Sequence, residues 1–150
     1  MKTVYKNIFI FSLLIIVGIP SLYAQCNEKI VSICSIEAGD EFVYLNDFKI
    51  KMKEVKKNKL PTVARFSIVL KKDIIYRFNI CSATEFPGQA ILQLYDVDKL
   101  TASSFNVDTQ KAYKGFDFQC SKTAVYTIVM YFKDGAEGCG VGVLSMKVNN

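Results

Sequence analysis

The stretch Val125-Tyr-Thr-Ile-Val-Met-Tyr-Phe132 decides the fold of this chain. Successive residues of a β-strand point to opposite sides, so every second side chain shares a face. Four large apolar side chains fall on one such face: Tyr126, Ile128, Met130 and Phe132. This period of two predicts a strand that turns one side to a hydrophobic core.

Similar runs lie on both sides of this strand. Alternating or apolar segments occur at residues 48–52, 64–70, 74–80, 90–95, 116–120 and 141–148. Residues 90–95 are apolar on both faces and predict a central strand, whereas residues 96–114 predict at most a short strand near 102–105. The inward face of residues 141–148 stays unassigned, because Gly140 and Gly142 blur the alternation.

Turn signals separate these runs. Lys71-Lys72-Asp73, Phe86-Pro87-Gly88 and the segment 133–138 have the composition of tight turns or hairpin loops. Seven or eight short strands at such intervals predict an all-β fold, an antiparallel β-sandwich resembling a jelly roll, over residues 42–150. A closed up-and-down barrel is the alternative, but the segment is short for eight long, even strands.

The first 41 residues are of a different kind. Lys2 and Lys6 precede an apolar run from Ile8 to Ile19, and Ala24 offers a small residue for cleavage, so residues 1–24 are predicted to be a signal peptide. A membrane anchor or a lipoprotein at Cys26 is the alternative. Residues 25–41 predict a short helical segment, with Ile30, Ile33 and Cys34 on its apolar side.

The predicted signal peptide determines where the processed protein is expected to be located. After cleavage, seventeen basic residues face fourteen acidic ones, a net charge of +3. No later apolar run is long enough to span a bilayer. The expected location is therefore secreted, periplasmic or at the cell surface, without a transmembrane segment in the processed chain.

The composition removes several classes of function. The 150 residues contain no histidine, which excludes Ser-His and Cys-His catalysis and imidazole ligation of zinc. The chain also lacks tryptophan, the side chain best suited to stacking on sugars. Paired carboxylates are the catalytic groups that remain, with Asp96 and Glu85, or Asp134 and Glu137, as possible pairs.

Five cysteines allow at most two intrachain disulfides and leave one thiol: Cys26, Cys34, Cys81, Cys120 and Cys139. Disulfides persist outside the cytosol, and these spacings match no zinc site. A bridge between Cys81 and Cys120 is plausible because each ends a predicted strand, and Cys139 can replace Cys120 as the partner. Cys26 and Cys34 pair only if the segment between them is not a continuous helix.

A run of lysines is the most conspicuous charged feature: Lys49, Lys51, Lys53, Lys56, Lys57 and Lys59. It favours a solvated edge strand whose lysines block aggregation between sheets. The alternative is a basic patch that attracts phosphate, anionic glycans or a membrane surface. Nucleic acid is not expected, because export separates the chain from it and the aromatic residues are not interleaved with the basic ones.

Two further groups of side chains are weaker candidates. Asp96, Asp98 and Asp108 could give oxygen ligands to calcium as a cofactor, although acidic residues after a strand are commonly turn formers. Three tyrosines could stack on a sugar ring or sit half-buried in a sandwich: Tyr95, Tyr113 and Tyr131.

The order of elements from residue 63 to residue 148 resembles the bacterial pre-peptidase C-terminal domain, a small jelly-roll module. The matching segments are residues 65–70 with the following Lys-Lys-Asp turn, 76–78, 91–96, 116–118 and 123–128. Asp73 and Ala124 stand where that family usually has glycine, and its members are not marked by extra cysteines. The resemblance implies an accessory domain of an exported protein.

Together these features predict a secreted, non-catalytic binding or accessory module that engages a protein or glycan outside the cytoplasm. A small carboxylate-based hydrolase or inhibitor and a structural envelope protein are the alternatives.

Overall fold

A computed structural model describes residues 28–56 and 59–148. The residues described contain one α-helix, α1 (Glu28–Ile36), and a single 3-10 turn at Lys133–Gly135. The strands in chain order are β1 (Phe42–Met52), β2 (Ala64–Leu70), β3 (Ile75–Ser82), β4 (Ala90–Asp96), β5 (Lys99–Ser103), β6 (Phe105–Asn106), β7 (Lys111–Ala112), β8 (Gly115–Gln119), β9 (Ala124–Phe132) and β10 (Gly138–Lys147). The predicted signal peptide lies outside the described residues.

Eight of the strands form two antiparallel sheets. Sheet I has the order β1-β10-β3-β8 and sheet II the order β2-β9-β4-β5, while β6 and β7 form a small ribbon. The pairs β1–β10, β2–β9, β3–β8 and β4–β5 are those of one long hairpin folded over on itself, which is the topology of a jelly roll. The predicted sandwich is confirmed, and the barrel alternative is wrong.

The core lies between the two sheets. The predicted inward face of β9 is confirmed, since Tyr126, Ile128, Met130 and Phe132 are all at most 2% exposed. β2 and β4 contribute alternate side chains to the same cluster, and Phe78 of β3 packs against them from sheet I. Burial of one face of β2, whose other face is exposed, therefore explains the alternation of that segment in the sequence.

Strand β10 has no polar face over most of its length, because residues 138–145 are all buried. Its inner side carries Gly140 and Gly142, and a Cβ on Gly142 would lie 2.8 Å from Leu92 Cδ1 of sheet II. These glycines let the sheets approach closely. Its outer side carries Val141 and Val143, which α1 covers.

Helix α1 packs on the outer face of sheet I. Val31 and Cys34 are its buried side chains, whereas Ile33 is half-exposed, so the predicted apolar side is rotated from its expected position. The predicted helix is confirmed over residues 28–36. Within the described residues, no helix is long and apolar enough to cross a membrane.

The disulfide pattern corrects the expected one. Cys34 of α1 is bonded to Cys81 of β3, with 5.9 Å between the Cα atoms, and Cys139 is disulfide-bonded as well. The expected bridge from Cys81 to Cys120, or to Cys139 in its place, is wrong, because Cys81 lies on the outer face of sheet I beside Cys34, while Cys120 lies in the core. Cys26 lies outside the described residues, and its pairing with Cys34 is excluded.

Cys120 is a free, buried thiol. Its sulfur donates to the carbonyl of Lys122 at 3.0 Å and lies 3.7 Å from the Tyr126 hydroxyl. Burial, together with this contact to Cys120, raises the pKa of Tyr126 to about 12. Cys120 is therefore part of the core packing.

Candidate functional site: a lysine-lined cleft

The predicted edge strand with alternating lysines is β1. Phe48 and Ile50 enter the core, and Lys49 and Lys51 lie on the outer face of sheet I, in register with Val141 and Cys139. Since β1 has a neighbour on one side only, the lysines stand at the edge of the sheet.

Lys49 differs from the other lysines of the run because its ammonium group forms ion pairs with two carboxylates. Its Nζ lies 2.6 Å from Glu28 Oε1 of α1 and 3.6 Å from Asp47 Oδ2. The hydrogen bond to Glu28 raises the pKa of Lys49. Asp47 also accepts a hydrogen bond from the Tyr44 hydroxyl, which raises the pKa of Tyr44 to about 12. Lys49 therefore joins α1 to β1 and is not available to a ligand.

The remaining described lysines of the run surround a cleft of about 460 Å³ between the end of β1 and the start of β2. We call it the lysine-lined cleft, after Lys51, Lys53, Lys56 and Lys59. Its other lining residues are Met52, Glu54, Val55, Leu60 and Thr62. Lys57, the sixth lysine of the predicted patch, lies outside the described residues.

Backbone contacts hold one wall of the cleft in place. The amide of Val55 donates to the carbonyl of Gly135 at 2.9 Å, and the Val55 side chain lies close to Gly135. Gly135 has a φ of +68°, a conformation that favours glycine, so the chain can turn tightly there. Further along, the amide of Lys59 donates to the carbonyl of Lys56.

The charge of the cleft is unbalanced. Four lysines face one acidic residue, Glu54. No carboxylate among the described residues lies within ion-pair distance of Lys53, Lys56 or Lys59. Lys51 lies over the ring of Phe86, 5.7 Å from its centroid. A cluster of like charges at an open surface attracts acidic groups.

Sequence reasoning identified these lysines but missed the apolar part of the cleft. Met52, Val55 and Leu60 lie among the lysines, and Leu60 is 91% exposed. A leucine inside a polar, lysine-rich loop is the signal that could have revealed it.

The calcium candidates do not come together. Asp96 lies 2.7 Å from Lys122 Nζ, Asp98 lies in the β4–β5 turn, and Asp108 follows the separate strand β6. In the ranges 28–56 and 59–148, no three acidic or cysteine side chains form a group that could hold a metal ion. The structure gives the calcium prediction no support.

The other candidates are scattered too. Asp134 lies in the 3-10 turn, and the backbone of Glu137 bonds Gly88. Tyr95 and Tyr131 are partly covered on the outer face of sheet II, and Tyr113 is 46% exposed beyond β7. Burial raises the pKa of Tyr131. These positions do not converge on one pocket.

No protein-family model matches this chain, and no curated protein matches it either. The resemblance to the pre-peptidase C-terminal domain therefore stays a prediction. Among solved structures, the chain is similar to PliG of Aeromonas hydrophila, a periplasmic lysozyme inhibitor of g-type lysozyme. The two share 9% identity over 73% of this chain and 90% of PliG, with a TM-score of 0.48. A likeness of this size does not extend to function.

Proposed function

We propose that this protein is an exported, non-catalytic binding module that holds an acidic segment of a partner protein in the lysine-lined cleft. The observation that carries the proposal is the cleft itself: four lysines and three apolar side chains line it, with a single acidic residue among them. The Cys34–Cys81 disulfide is consistent with export, since such bonds persist outside the cytosol.

Binding is favoured over catalysis by the state of the carboxyl groups. Asp96, a member of one possible catalytic pair, is engaged by Lys122. With no histidine in the chain, these carboxylates would have to do the work alone.

A peptide is favoured over a glycan by the lining of the cleft. Proteins commonly stack sugar rings on aromatic side chains, and none of the nine described lining residues is aromatic. Ammonium groups beside Met52, Val55 and Leu60 suit a segment that carries both carboxylates and apolar side chains.

The test is a binding measurement with a defined probe. A fluorescein-labelled peptide, acetyl-Thr-Val-Thr-Val-Thr-Val-Glu-Glu-Glu, is titrated with the protein and followed by fluorescence anisotropy. We expect the variant K56E/K59E to bind at least about tenfold more weakly, since each reversed charge replaces attraction with repulsion.

The matched control is K99E/K111E, which changes the net charge equally at exposed lysines on other strands. Equal weakening by both variants would contradict the proposal, because net charge alone would then explain the effect. Tighter binding of a sulfated polysaccharide than of the peptide would contradict the choice of a protein partner.

A further inference from the structure

The four edge strands of the two sheets are not protected equally. β1 has a bulge between Tyr44 and Asn46, and the pairing of β5 shifts between Leu94 and Tyr95. β8 has five residues and begins at a glycine. Bulges and short lengths are common means of preventing a sheet edge from pairing with other chains.

β2 has none of these protections. It pairs with β9 in unbroken register over seven residues, from Ala64 opposite Met130 to Leu70 opposite Ala124. It contains no proline or glycine, and Arg65 is its one charged residue. A regular, mostly apolar edge of this length is a template for another strand.

The outward backbone groups of β2 are free. In an antiparallel pair, alternate residues direct their N–H and C=O groups to the neighbour and the others direct theirs away from it. Beyond the ladder with β9, no backbone group of residues 64–70 is hydrogen-bonded to a described residue. The edge can therefore accept a complete ladder of hydrogen bonds.

The side chains on both faces of β2 are incompletely covered. On the outer face, Val69 and its cross-strand partner Val125 are 65% and 59% exposed. On the inner face, Phe66 and Ile68 are only partly buried, although Phe66 lies 5.1 Å from the ring of Phe48. An added strand would bury apolar surface on both sides.

The lysine-lined cleft lies at the start of the same strand. Leu60 and Thr62 line the cleft, and the chain enters β2 at Ala64. A strand running antiparallel to β2 leaves the sheet at this end, so residues that follow it reach the lysines.

We propose that β2 is the site at which an extended segment of the partner adds a fifth strand to sheet II, with carboxylates that follow this strand entering the lysine-lined cleft. The inference rests on the proposed function and names the chemistry of the partner: an alternating, partly apolar segment followed by acidic residues. Backbone pairing supplies affinity, and the cleft supplies specificity for charge.

Charge favours this occupant over a second copy of the chain. Two β2 strands paired antiparallel about Ser67 would bring Lys71 and Lys72 of one copy beside the cleft of the other. Like charges placed together oppose such a dimer. An acidic segment carries the opposite charge, so the lysines of the cleft attract it.

The test uses the peptide probe defined above, methylated either on the amides of its three threonines or on those of its three valines. Only alternate amides of an added strand point to the neighbouring strand. We expect one methylated peptide to bind at least tenfold more weakly and the other to bind like the parent. Amide exchange should slow at alternate residues of 64–70 and not at the β5 edge.

The outcomes separate the two proposals. If both methylated peptides bind like the parent while K56E/K59E still loses binding, the cleft binds the peptide and strand addition at β2 is wrong. If the parent peptide does not bind, both proposals are wrong. If sedimentation shows a dimer at micromolar concentration that protects the β2 amides without peptide, a second copy is the occupant.

Discussion

The outer faces of the two sheets differ in how they are covered. On sheet I, α1 lies over the face and Val141 is completely buried. On sheet II, no helix of the described residues covers the equivalent face: Val129 and Ile91 are buried there by their neighbours, but Val125 is 59% exposed. Both valines lie on strands at the middle of a sheet, but Val141 lies beneath α1, whereas Val125 is the second residue of β9 and has no helix among the described residues above it.

Besides the ion pair between Glu28 and Lys49, a disulfide and an arginine hold α1 on sheet I. The Cys34–Cys81 disulfide fixes the middle of the helix. Arg77 fixes the region beyond its end: Nη1 donates to the carbonyl of Ala38 at 2.8 Å, and the guanidinium pairs with Asp117 and lies over the ring of Phe42. Sheet I is therefore covered on its outer face, whereas sheet II keeps exposed apolar surface at Val69 and Val125.

The largest expected effect comes from removing the disulfide on sheet I. In the chain-entropy model, a bridge over 47 residues contributes about 4 kcal/mol. We expect C34A/C81A to lower the free energy of unfolding in urea by about 3 kcal/mol or more, since Cys34 also packs in the interface. Amide exchange should become faster in α1 and in β10.

The matched control on sheet II is V69A/V125A, which removes side-chain atoms from an exposed pair. This variant should change the free energy of unfolding by less than about 1 kcal/mol. If C34A/C81A unfolds at the same urea concentration as the parent, the covering of sheet I is not a source of stability.

A smaller effect should separate the two valines themselves. We expect V141A to lower the free energy of unfolding by about 2 kcal/mol, because Val141 is fully buried beneath α1 and its truncation leaves a cavity. V125A should change it by no more than about 0.5 kcal/mol. Thermal or urea unfolding of both variants measures the difference, and similar losses would mean that the two outer faces are equally packed.

The difference between strands with one covered face and strands with two explains which strands the sequence could predict. Alternation revealed β2 and β9 because each strand turns one face to the core and the other face is less buried, being exposed in β2 and partly buried in β9. It failed for β10, whose glycines face sheet II and whose valines face α1. Docking of a helix on a sheet is a tertiary event, and no local pattern records it.

Contacts between residues that are far apart in the sequence also limited the prediction of the disulfides and of the candidate site. The bond between Cys34 and Cys81 follows from where α1 docks, and the separation of Lys49 from the other lysines depends on Glu28, 21 residues away. The remaining lysines were predicted as a group because they are close in sequence. The free edge of β2 could not be predicted, because strand order is set by the whole topology.

The smallest expected effect concerns the Arg77–Asp117 ion pair and its response to acid. The hydrogen bond from Arg77 holds the pKa of Asp117 below its ordinary value of 3.8. A lowered pKa in the folded state means that the stabilisation is complete above pH 4 and is lost as the pH falls through the lowered pKa. Because the Asp117 side chain is 46% exposed, the contribution should be below about 1 kcal/mol.

We therefore expect D117N to be slightly less stable than the parent at pH 7, with the difference disappearing near pH 2. Urea unfolding at several pH values measures it, and D108N is the control because Asp108 is exposed in a turn. Amide exchange gives the location, since loss of the ion pair should loosen the segment after α1 while β2 and β9 stay unchanged. A difference that persists at pH 2, or loosening spread equally over both sheets, would mean that Arg77 does not act through Asp117 to hold the covering of sheet I.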